Sequence, residues 1–419
     1  MSNAPRPPSS IRILLCEGSS LSAREALSAL GSRGYVIDVC DPDPFCLGRF
    51  SRFVRNVYRS PAVGTDPQGY LRFLLNHLKR VPYDVLLPVQ EQAFLFSRVQ
   101  KQLQLLVGLA IADFPVFARL QSKVGFLEVL DTLSLPHPRT THVRTSEELE
   151  AYTSFPYYVK AEYGTASSGV WKVQTSGEQA QLVAHLQAMG QLDGEHHLLI
   201  QEVVSGPFCM VQAIFDHGRL IAFHCWQRLR EGARGSSSAK MSIQQPLVER
   251  HLQQLGEYLG WHGCLAIDYL LDPERATPLY IDANPRLVEC MNATLSGLNL
   301  AEVLVRLSLG ERLPETLSYR SDVRSHMLMM ALLGLAERGG TRKALLREIW
   351  QAGLRRGMYQ ESREELTPFR MDLLSLLPVF MLTTQLLINP ARGLATARRA
   401  VTRYSLSSHA IEVIQQEME

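Results

Sequence analysis

The strongest constraint on the fold is an alternation of short apolar runs with amphipathic stretches near the start of the chain. Apolar runs of this length read as buried strands, and the amphipathic stretches read as helices. Strands that alternate with helices predict a parallel, doubly wound α/β sheet over residues 11–115. The segments are, in order, a strand at Ile11–Cys16, a helix at Ala23–Leu30, a strand at Tyr35–Val39, a helix at Pro67–Lys79 and a strand at Tyr83–Val89.

The turn after the first strand, Glu17–Ser20, has the position of a dinucleotide-binding turn. It lacks the glycines of the G-x-G-x-x-G pattern, and only Asp41 and Asp43 lie near the end of the second strand. We therefore interpret it as a structural turn at the edge of a substrate cleft. A hydride-transferring dehydrogenase is the weakest of the functional hypotheses.

Composition excludes several other classes of protein. The chain of 419 residues is long enough for two or three domains, and its formal net charge of +2 gives no support for nucleic-acid binding. Its seven cysteines are scattered and form no C-x-x-C pair, which indicates reduced thiols. No long apolar segment follows a basic start, so we expect no secretory signal and a cytoplasmic location.

Four segments follow from the changes in pattern along the chain. Residues 1–10, rich in Pro and Ser, are expected to form a disordered tail, and residues 11–115 an N-terminal α/β domain. Residues 116–315 contain a helix at Ser122–Leu133 and several strands, and residues 316–419 are mostly helical by periodicity.

A lysine at a strand end is followed by a glycine-rich loop. The strand Tyr157–Lys160 leads into Gly164–Gly169, where glycines and small hydroxyl residues leave backbone N–H groups free to wrap a polyphosphate. No Gly-Lys-Ser/Thr ends the loop, so it is not a Walker A motif. A plain flexible hairpin has the same composition and remains an alternative.

Three oxygen-bearing side chains close two later strands. Asp282 and Asn284 are two residues apart and point to one face of a strand, and Asp268 ends a neighbouring strand. Carboxylate and amide oxygens are ligands suited to Mg²⁺ bound through ATP phosphates. A solvated strand-end acid is the alternative for Asp268 alone.

These motifs together resemble the ATP-grasp superfamily, in particular its carbamoyl phosphate synthase and biotin carboxylase branch. The resemblance implies an ATP-grasp domain at 116–315 with a hinge near 200–206, preceded by an α/β domain and followed by a helical extension. It also implies ATP and two Mg²⁺ ions as cofactors, with Asp268, Asp282 and Asn284 as metal ligands. The implied nucleotide contacts are Lys123, Lys160, Gly164, Thr165, Ser167, Ser168, Gly169, Gln201, Glu202, Val203 and Val204, and Arg286 would face the phosphoryl group in transit.

Three positions depart from the family pattern. Asp282 stands where the family usually has Glu, and Phe208 stands where D-alanine–D-alanine ligases place a Glu for the ribose hydroxyls. Glu162 stands where proline is common. These departures put ribose recognition in doubt, but they remove no phosphate or metal group.

The resemblance implies a ligase that forms an acyl phosphate from an acidic substrate and joins it to an amine. A bicarbonate-using carboxylase or carbamoyl-phosphate enzyme and a non-catalytic ATP-binding regulatory protein are the alternatives. Short motifs such as Asp66–Tyr70 are also similar to mycosporine-glycine synthases, which activate an enol oxygen. Residues His224–Ile243 are interpreted as a mobile loop for a carboxylate, with a solvated hairpin as the alternative. Arg228 is the preferred catalytic contact because it follows a strand at Leu220–Trp226.

The last hundred residues contain a stretch without charge, Leu373–Ala391, followed by arginines. From Arg320 to Glu419 the chain has 14 Lys and Arg against 10 Asp and Glu. A helix buried on the catalytic body is the preferred interpretation. Peripheral membrane contact through residues 373–403 comes second and a membrane span third. A homodimer is a further expectation.

Overall fold

The computed structural model describes residues 6–164, 168–314, 317–391, 393–395 and 405–416, and its strands form three sheets. The strands are β1 (Arg12–Cys16), β2 (Val36–Asp41), β3 (Val54–Arg59), β4 (Val85–Leu87), β5 (Thr140–Thr145), β6 (Tyr157–Ala161), β7 (Val170–Val173), β8 (Asp193–Glu202), β9 (Phe208–Asp216), β10 (Arg219–Glu231), β11 (Ser237–Ile243), β12 (Gly263–Leu271), β13 (Pro278–Asn284), β14 (Arg324–His326) and β15 (Ser362–Glu364).

Helices cover the faces of these sheets. They are α1 (Leu21–Gly31), α2 (Pro67–Arg80), α3 (Gln92–Arg98), α4 (Gln100–Gln104), α5 (Phe114–Gln121), α6 (Lys123–Thr132), α7 (Ser146–Glu150), α8 (Ser176–Ala188), α9 (Pro246–Leu259), α10 (Met291–Leu295), α11 (Leu300–Ser308), α12 (Leu328–Glu337), α13 (Arg342–Gly353), α14 (Leu376–Ile388) and α15 (Ser408–Gln416). Short 3₁₀ turns lie at Pro8–Ser10, Leu47–Arg49, Ala233–Gly235, Gly357–Tyr359 and Leu373–Ser375.

The N-terminal sheet is parallel, with the strand order β3-β2-β1-β4, so the predicted doubly wound α/β class is confirmed. The strands β1 and β4 are buried because helices cover the sheet. Ser20 caps α1 by accepting a hydrogen bond from the backbone N–H of Ala23. The edge strand β3 was not predicted, because its polar, half-exposed sequence gives no apolar run.

Two antiparallel sheets form the middle of the molecule. The smaller one has the order β5-β8-β6-β7, and α7 and α8 pack on it around a separate apolar core. The larger one has the order β13-β12-β9-β10-β11-β14-β15 and is antiparallel except for the pair β14–β15. The cleft between the smaller and the larger sheet positions the site described below.

The last hundred residues contribute strands as well as the helices that periodicity predicts. Strand β14 pairs with β11, and β15 pairs with β14, so both extend the large sheet. Helix α15 returns to the N-terminal sheet, where the hydroxyl of Ser407 donates to the carbonyl of Gly64 at 2.8 Å. The boundaries of the four predicted segments stay a prediction. Of the predicted tail, residues 1–5 lie outside the described part, and Arg6 pairs with Asp84 at 2.7 Å.

A buried ion pair joins the C-terminal segment to the N-terminal domain. Arg24 on α1 donates to Asp372 at 3.0 Å, and both side chains are almost wholly buried. The hydroxyl of Ser51 and the backbone N–H of Arg52 donate to the same carboxylate at 2.6 and 3.1 Å. Asp372 is therefore satisfied by three donors from the N-terminal domain, as a buried charge requires.

The uncharged stretch forms helix α14, which is only partly buried. Leu382 and Leu386 enter the core with α12, whereas the opposite side of the helix faces outward. The preferred interpretation, a helix buried on the catalytic body, therefore applies to only one face of α14. Among the described residues, no helix is long and apolar enough to cross a membrane.

Replacing Asp372 by alanine should lower the free energy of unfolding by about 3–5 kcal/mol, because Arg24 would stay buried without its counter-charge. Urea denaturation measures the change. The control is Arg219→Ala, which breaks a partly exposed ion pair with Asp216 and should cost less than about 1 kcal/mol. Equal losses in both variants would contradict the structural role of the buried pair.

Candidate active site

A cavity of about 800 Å³ opens between the two antiparallel sheets and reaches the carboxyl ends of the N-terminal strands. Such a cleft, where strand ends meet a second lobe, is the usual place for a ligand in folds of this kind. The predicted site residues that line it are Lys123, Lys160, Gly164, Ser168, Gln201, Glu202, Val204, Arg228, Asp268, Asp282, Asn284 and Arg286. Thr165 and Ser167 lie outside the described residues.

The three predicted metal ligands come together on two paired strands. Asp268 on β12 lies directly opposite Asp282 on β13, and a shift in register follows Asp268. Asn284 is two residues further along β13 and therefore shares the face of Asp282. The sheet thus presents two carboxylates and an amide at one wall of the cavity.

The environment of Asp268 fits a divalent cation. Burial, together with the negative charges of Asp282 and Glu289, raises the pKa of its carboxyl to about 8. Its Oδ1 is shielded from solvent and has no hydrogen-bond partner among the described residues. A buried carboxylate oxygen without a donor, facing a second carboxylate, is a set of hard ligands that Mg²⁺ satisfies.

The two predicted lysines stand beside this wall. The ammonium of Lys123, at the start of α6, lies 3.6 Å from Asp282 and donates to the carbonyl of Gly164 at 3.2 Å. Lys160, on β6, donates to the carbonyl of Ile281 at 2.9 Å. Burial, with a contribution from the positive charge of Lys123, lowers the pKa of Lys160 to about 8. Two cations and the metal ligands therefore share one region of the cavity.

The glycine-rich segment connects β6 to β7, and residues 165–167 in its middle lie outside the described part. Gly169 has a φ of +74°, which favours glycine, and its carbonyl accepts from the backbone N–H of Ala161 at 2.7 Å. A side chain at Gly164 would place its Cβ 2.2 Å from the carbonyl oxygen of Ser168. The turn is therefore tight at both described ends.

The unusual Glu162 has a local structural role. Its carboxylate accepts from the hydroxyl of Ser122 at 2.6 Å, and its carbonyl accepts from the backbone N–H of Lys123 at 3.0 Å. Ser122 in turn caps α6 by accepting from the N–H of Gly125. Glu162 therefore holds the helix start that carries Lys123 against β6.

The predicted hinge follows β8. Gln201, Glu202 and Val204 line the cavity, and the amide of Gln201 donates to the hydroxyl of Thr140 at 3.1 Å. The carboxylate of Glu202 accepts from the backbone N–H of Arg139 at 2.8 Å. Both polar side chains are therefore used to hold β8 against the neighbouring strand β5. Val203 belongs to the same predicted contact set, and its role stays a prediction.

A close backbone approach follows the hinge at Gly206. Its φ is +143°, and a Cβ there would lie 2.2 Å from the carbonyl oxygen of Leu271. Any side chain would push the connection between β8 and β9 away from the end of β12. The glycine therefore brings the end of the hinge against the large sheet.

Arg286 is held by a residue that the sequence did not single out. Its guanidinium lies 2.9 Å from the carboxylate of Glu91, and both side chains are buried. Gln121 donates to Glu91 as well, at 2.8 Å. The polar run at Gln90–Gln92, directly after the buried strand β4, is the signal that could have indicated a residue at the cleft.

Arg228 was expected just after a strand that ends at Trp226, but the strand β10 continues to Glu231 and includes it. Its guanidinium stacks over the ring of Phe208 at 4.5 Å and donates to the carbonyl of Gly235 at 2.6 Å. Phe208, at the position where related ligases have a carboxylate for ribose, therefore supports a cation at the cavity wall.

The interpretation of residues His224–Ile243 as a mobile loop was wrong. They form β10 and β11 with a short turn at Ala233–Gly235. Lys240 is fully buried and forms ion pairs with Glu289 and with Glu365. Although burial opposes it, the charges of these glutamates raise the pKa of Lys240 above its usual value.

No protein-family model matches the chain, but comparisons with known proteins find distant similarities. The C-terminal section of the carbamoyl phosphate synthase large chain from Methanopyrus kandleri is 21% identical over 214 residues. The match covers 48% of this chain and 39% of that protein, so the chain spans less than half of this relative.

Solved structures show the same architecture. The biotin carboxylase domain of Hydrogenobacter thermophilus 2-oxoglutarate carboxylase, in complex with MgADP, ADP and bicarbonate, has a TM-score of 0.59 at 14% identity. The similarity covers 74% of this chain and 73% of that one. The L-amino acid ligase from Bacillus licheniformis has a TM-score of 0.56 at 16% identity and covers 76% of this chain and 81% of its own.

These proteins are ATP-grasp proteins, and the fold of this chain is the ATP-grasp fold. The resemblance inferred from the sequence is therefore confirmed, and the predicted fold class is confirmed with it.

Replacing Asp268 by asparagine should raise the melting temperature of the ligand-free protein by roughly 2 °C, because the raised pKa shows that the folded protein disfavours the ionised carboxyl of the unfolded chain, a cost that asparagine does not carry. The same variant should lose the Mg²⁺-dependent part of the stabilisation by ATP. Differential scanning calorimetry with and without MgATP measures both effects. Glu274→Gln, in the exposed turn between the same two strands, is the control and should change neither. Full MgATP stabilisation in Asp268→Asn would contradict the metal assignment.

Proposed function

We propose that the protein is an ATP-dependent ligase that phosphorylates an acidic substrate and joins it to an amine, with release of ADP and phosphate. The observation that carries the proposal is the register of β12 and β13. It sets Asp268 opposite Asp282 beside two lysine side chains in one cavity. Structural neighbours with ligase or carboxylase activity in their names support the same chemistry.

The nucleotide would lie with its base near the hinge and its phosphates near the lysines. Apolar side chains such as Met210 and Leu270 line the cavity beside Gln201 and Val204, and they suit a flat aromatic base. Lys123 and Lys160 would bind phosphate oxygens in place of the backbone carbonyls that they now contact. The N–H groups of the glycine-rich turn would complete the phosphate site.

Asp268, Asp282 and Asn284 would hold Mg²⁺, and the expectation of two ions is kept. When bound, Mg²⁺ would neutralise charge on the phosphate oxygens during transfer. The remaining charge would be balanced by Lys160 and by Arg286, whose guanidinium Glu91 holds in place. Positioning and electrostatic stabilisation supply most of the rate in phosphoryl transfer, so no protein nucleophile is required.

In the proposed reaction an oxygen of the acidic substrate attacks the γ-phosphorus of ATP, and the bond to ADP breaks. The amine then attacks the activated carbon, and phosphate leaves. Arg228, whose guanidinium stacks on the ring of Phe208, is the proposed contact for the substrate or its phosphorylated form. The pairing of Lys240 with Glu289 leaves that carboxylate at the cavity wall, where it can face an amine.

A bicarbonate-using reaction is the second candidate. The structural neighbour from Hydrogenobacter thermophilus was solved with bicarbonate, and the archaeal relative is a carbamoyl phosphate synthase chain. Bicarbonate-dependent ADP release without any amine would favour this candidate. Stabilisation by ATP with no ADP release in any mixture would favour a regulatory ATP-binding protein.

Lys160→Ala and Asp282→Ala should each lower ADP release by at least about 100-fold, because each removes a charge that stabilises the transferring phosphoryl group. The measurement is a coupled ADP assay over pairs of carboxylic acids and amines with Mg²⁺, with bicarbonate as a separate acid. Lys172→Ala, an exposed lysine on the neighbouring strand β7, is the matched control and should keep full activity. Substantial turnover in both site variants would refute the assignment.

A further inference from the structure

The active-site cavity has a second, apolar end that the phosphate chemistry does not use. Its residues, which we call the apolar wall, are Leu21, Phe50, Met330, Leu333, Met381 and Leu382. Four of them belong to helices α12 and α14 of the C-terminal segment. The extension therefore builds part of the same cavity that contains Asp268 and Lys160.

The apolar wall is part of a packed core. Met330, Leu333 and Leu382 are buried members of one apolar cluster, and Leu21 from the N-terminal domain packs against it. Its side chains offer no hydrogen bonds, so a charged or strongly polar group placed against them would lose its hydration without compensation. An alkyl or aromatic group would instead gain from leaving water.

Polar groups near this end are already engaged. The carboxylate of Glu337 accepts from the backbone N–H of Arg234 at 2.7 Å, and Asp43 accepts from the N–H of Phe45 at 2.9 Å. These side chains are tied into the protein, which leaves the apolar side chains as the main recognition surface at this end.

We propose that one of the two substrates to be joined carries an apolar chain or ring, which binds against the apolar wall while its reacting group faces Asp268 and Lys160. The proposal rests on the proposed ligase function. It gives the C-terminal helices α12 and α14 a role in substrate selection.

The test is a series of straight-chain carboxylic acids, from butanoic to decanoic acid, and a parallel series of alkylamines. For the series that fits, KM in the ADP assay should fall about three- to fourfold with each added methylene until the pocket is filled. Met381→Trp, at a half-exposed position of the wall, should shift the KM optimum to shorter chains. Phe380→Gln, on the outer face of the same helix, is the control and should keep the wild-type optimum. A KM independent of chain length in both series would overturn the proposal.

Binding separates this proposal from the ligase function. Lys160→Ala should not turn over, but isothermal titration can still measure its affinity for each member of the acid and amine series. The affinity should rise with chain length, up to decanoic acid or decylamine, in the series that fits the pocket. If binding depends on chain length but the wild type releases no ADP, the ligase function is refuted and the proposed role of the apolar wall stands. If the wild type releases ADP but shows no chain-length preference, the ligase function stands and the proposed role of the apolar wall is refuted.

The outer face of α14 carries a second, independent observation. Phe380 and Ile388 are 69% and 71% exposed, and Leu377 lies on the same side at helical spacing. Leu373, in the 3₁₀ turn just before the helix, is 72% exposed. We call these four residues the outer face. Exposed apolar side chains that line up in this way mark a surface that binds a partner or a membrane.

Charge indicates which partner suits the outer face. Between residues 338 and 389 the exposed charged side chains are eight basic ones and one acidic one, Glu361. The basic ones are Arg338, Arg342, Lys343, Arg347, Arg355, Arg356, Arg363 and Arg370. One of them reaches α14 itself, because the guanidinium of Arg342 donates to the carbonyl of Ile388 at 3.1 Å. An apolar strip with basic residues in the same segment suits the interface of an anionic bilayer. Two copies of this surface would repel each other, which disfavours a second chain as the occupant.

We infer that the outer face binds peripherally to an anionic lipid bilayer. Full-length protein should co-sediment with vesicles of phosphatidylcholine and phosphatidylserine, and much less with phosphatidylcholine alone. Added salt should weaken the binding, because it screens the basic residues.

The variant Phe380→Ser/Ile388→Ser should weaken vesicle binding about tenfold or more while leaving ADP release unchanged. Leu105→Ser, an 85% exposed leucine of the N-terminal domain, is the matched control and should bind like the wild type. Absence of binding to anionic vesicles would overturn the inference. A wild-type dimer that the double variant converts to monomers would assign the outer face to a second copy and overturn it as well.

Discussion

The candidate site depends on two carboxylates that face each other across a pair of antiparallel strands. Asp268 and Asp282 are held opposite each other by the register of β12 and β13, so neither can move away without breaking the sheet. Such a pair is unfavourable in a folded protein unless a cation lies between or beside the two groups. The lysines at 123 and 160 supply part of that charge. A pair of carboxylates with two lysines beside it suits a site that binds both a metal ion and a polyphosphate.

The C-terminal segment is tied to the catalytic body by buried charges. Asp372 accepts three donors from the N-terminal domain, and Glu365 pairs with Lys240 on a central strand of the large sheet. Both connections use charges that would be costly to bury alone, so they hold the segment in one position. That position places α12 and α14 at the cavity. The segment is thereby part of the site, which its helical periodicity alone did not indicate.

Several parts of the site could be predicted because the relevant signal is local. Asp282 and Asn284 are two residues apart on one strand, and Lys160 directly precedes its glycine-rich turn, so spacing alone predicts which side chains share a face. The partner of Arg286 was missed because Glu91 is distant in sequence and follows a different strand. The segment at 224–243 was misread because its glycines and serines are typical of loops, although pairing across the sheet makes it two strands.

The sequence by itself determined the alternation of strands and helices, the chemical types at the strand ends and, through them, the ATP-grasp resemblance. These features depend on periodicity and on neighbours along the chain, so the order of residues alone specifies them. Only the tertiary structure decided which charges neutralise each other and where α14 lies. Burial and long-range pairing depend on distances between segments that the sequence does not record. In the sequence α14 is therefore a single uncharged stretch. In the fold one of its faces lines the cavity and another faces solvent.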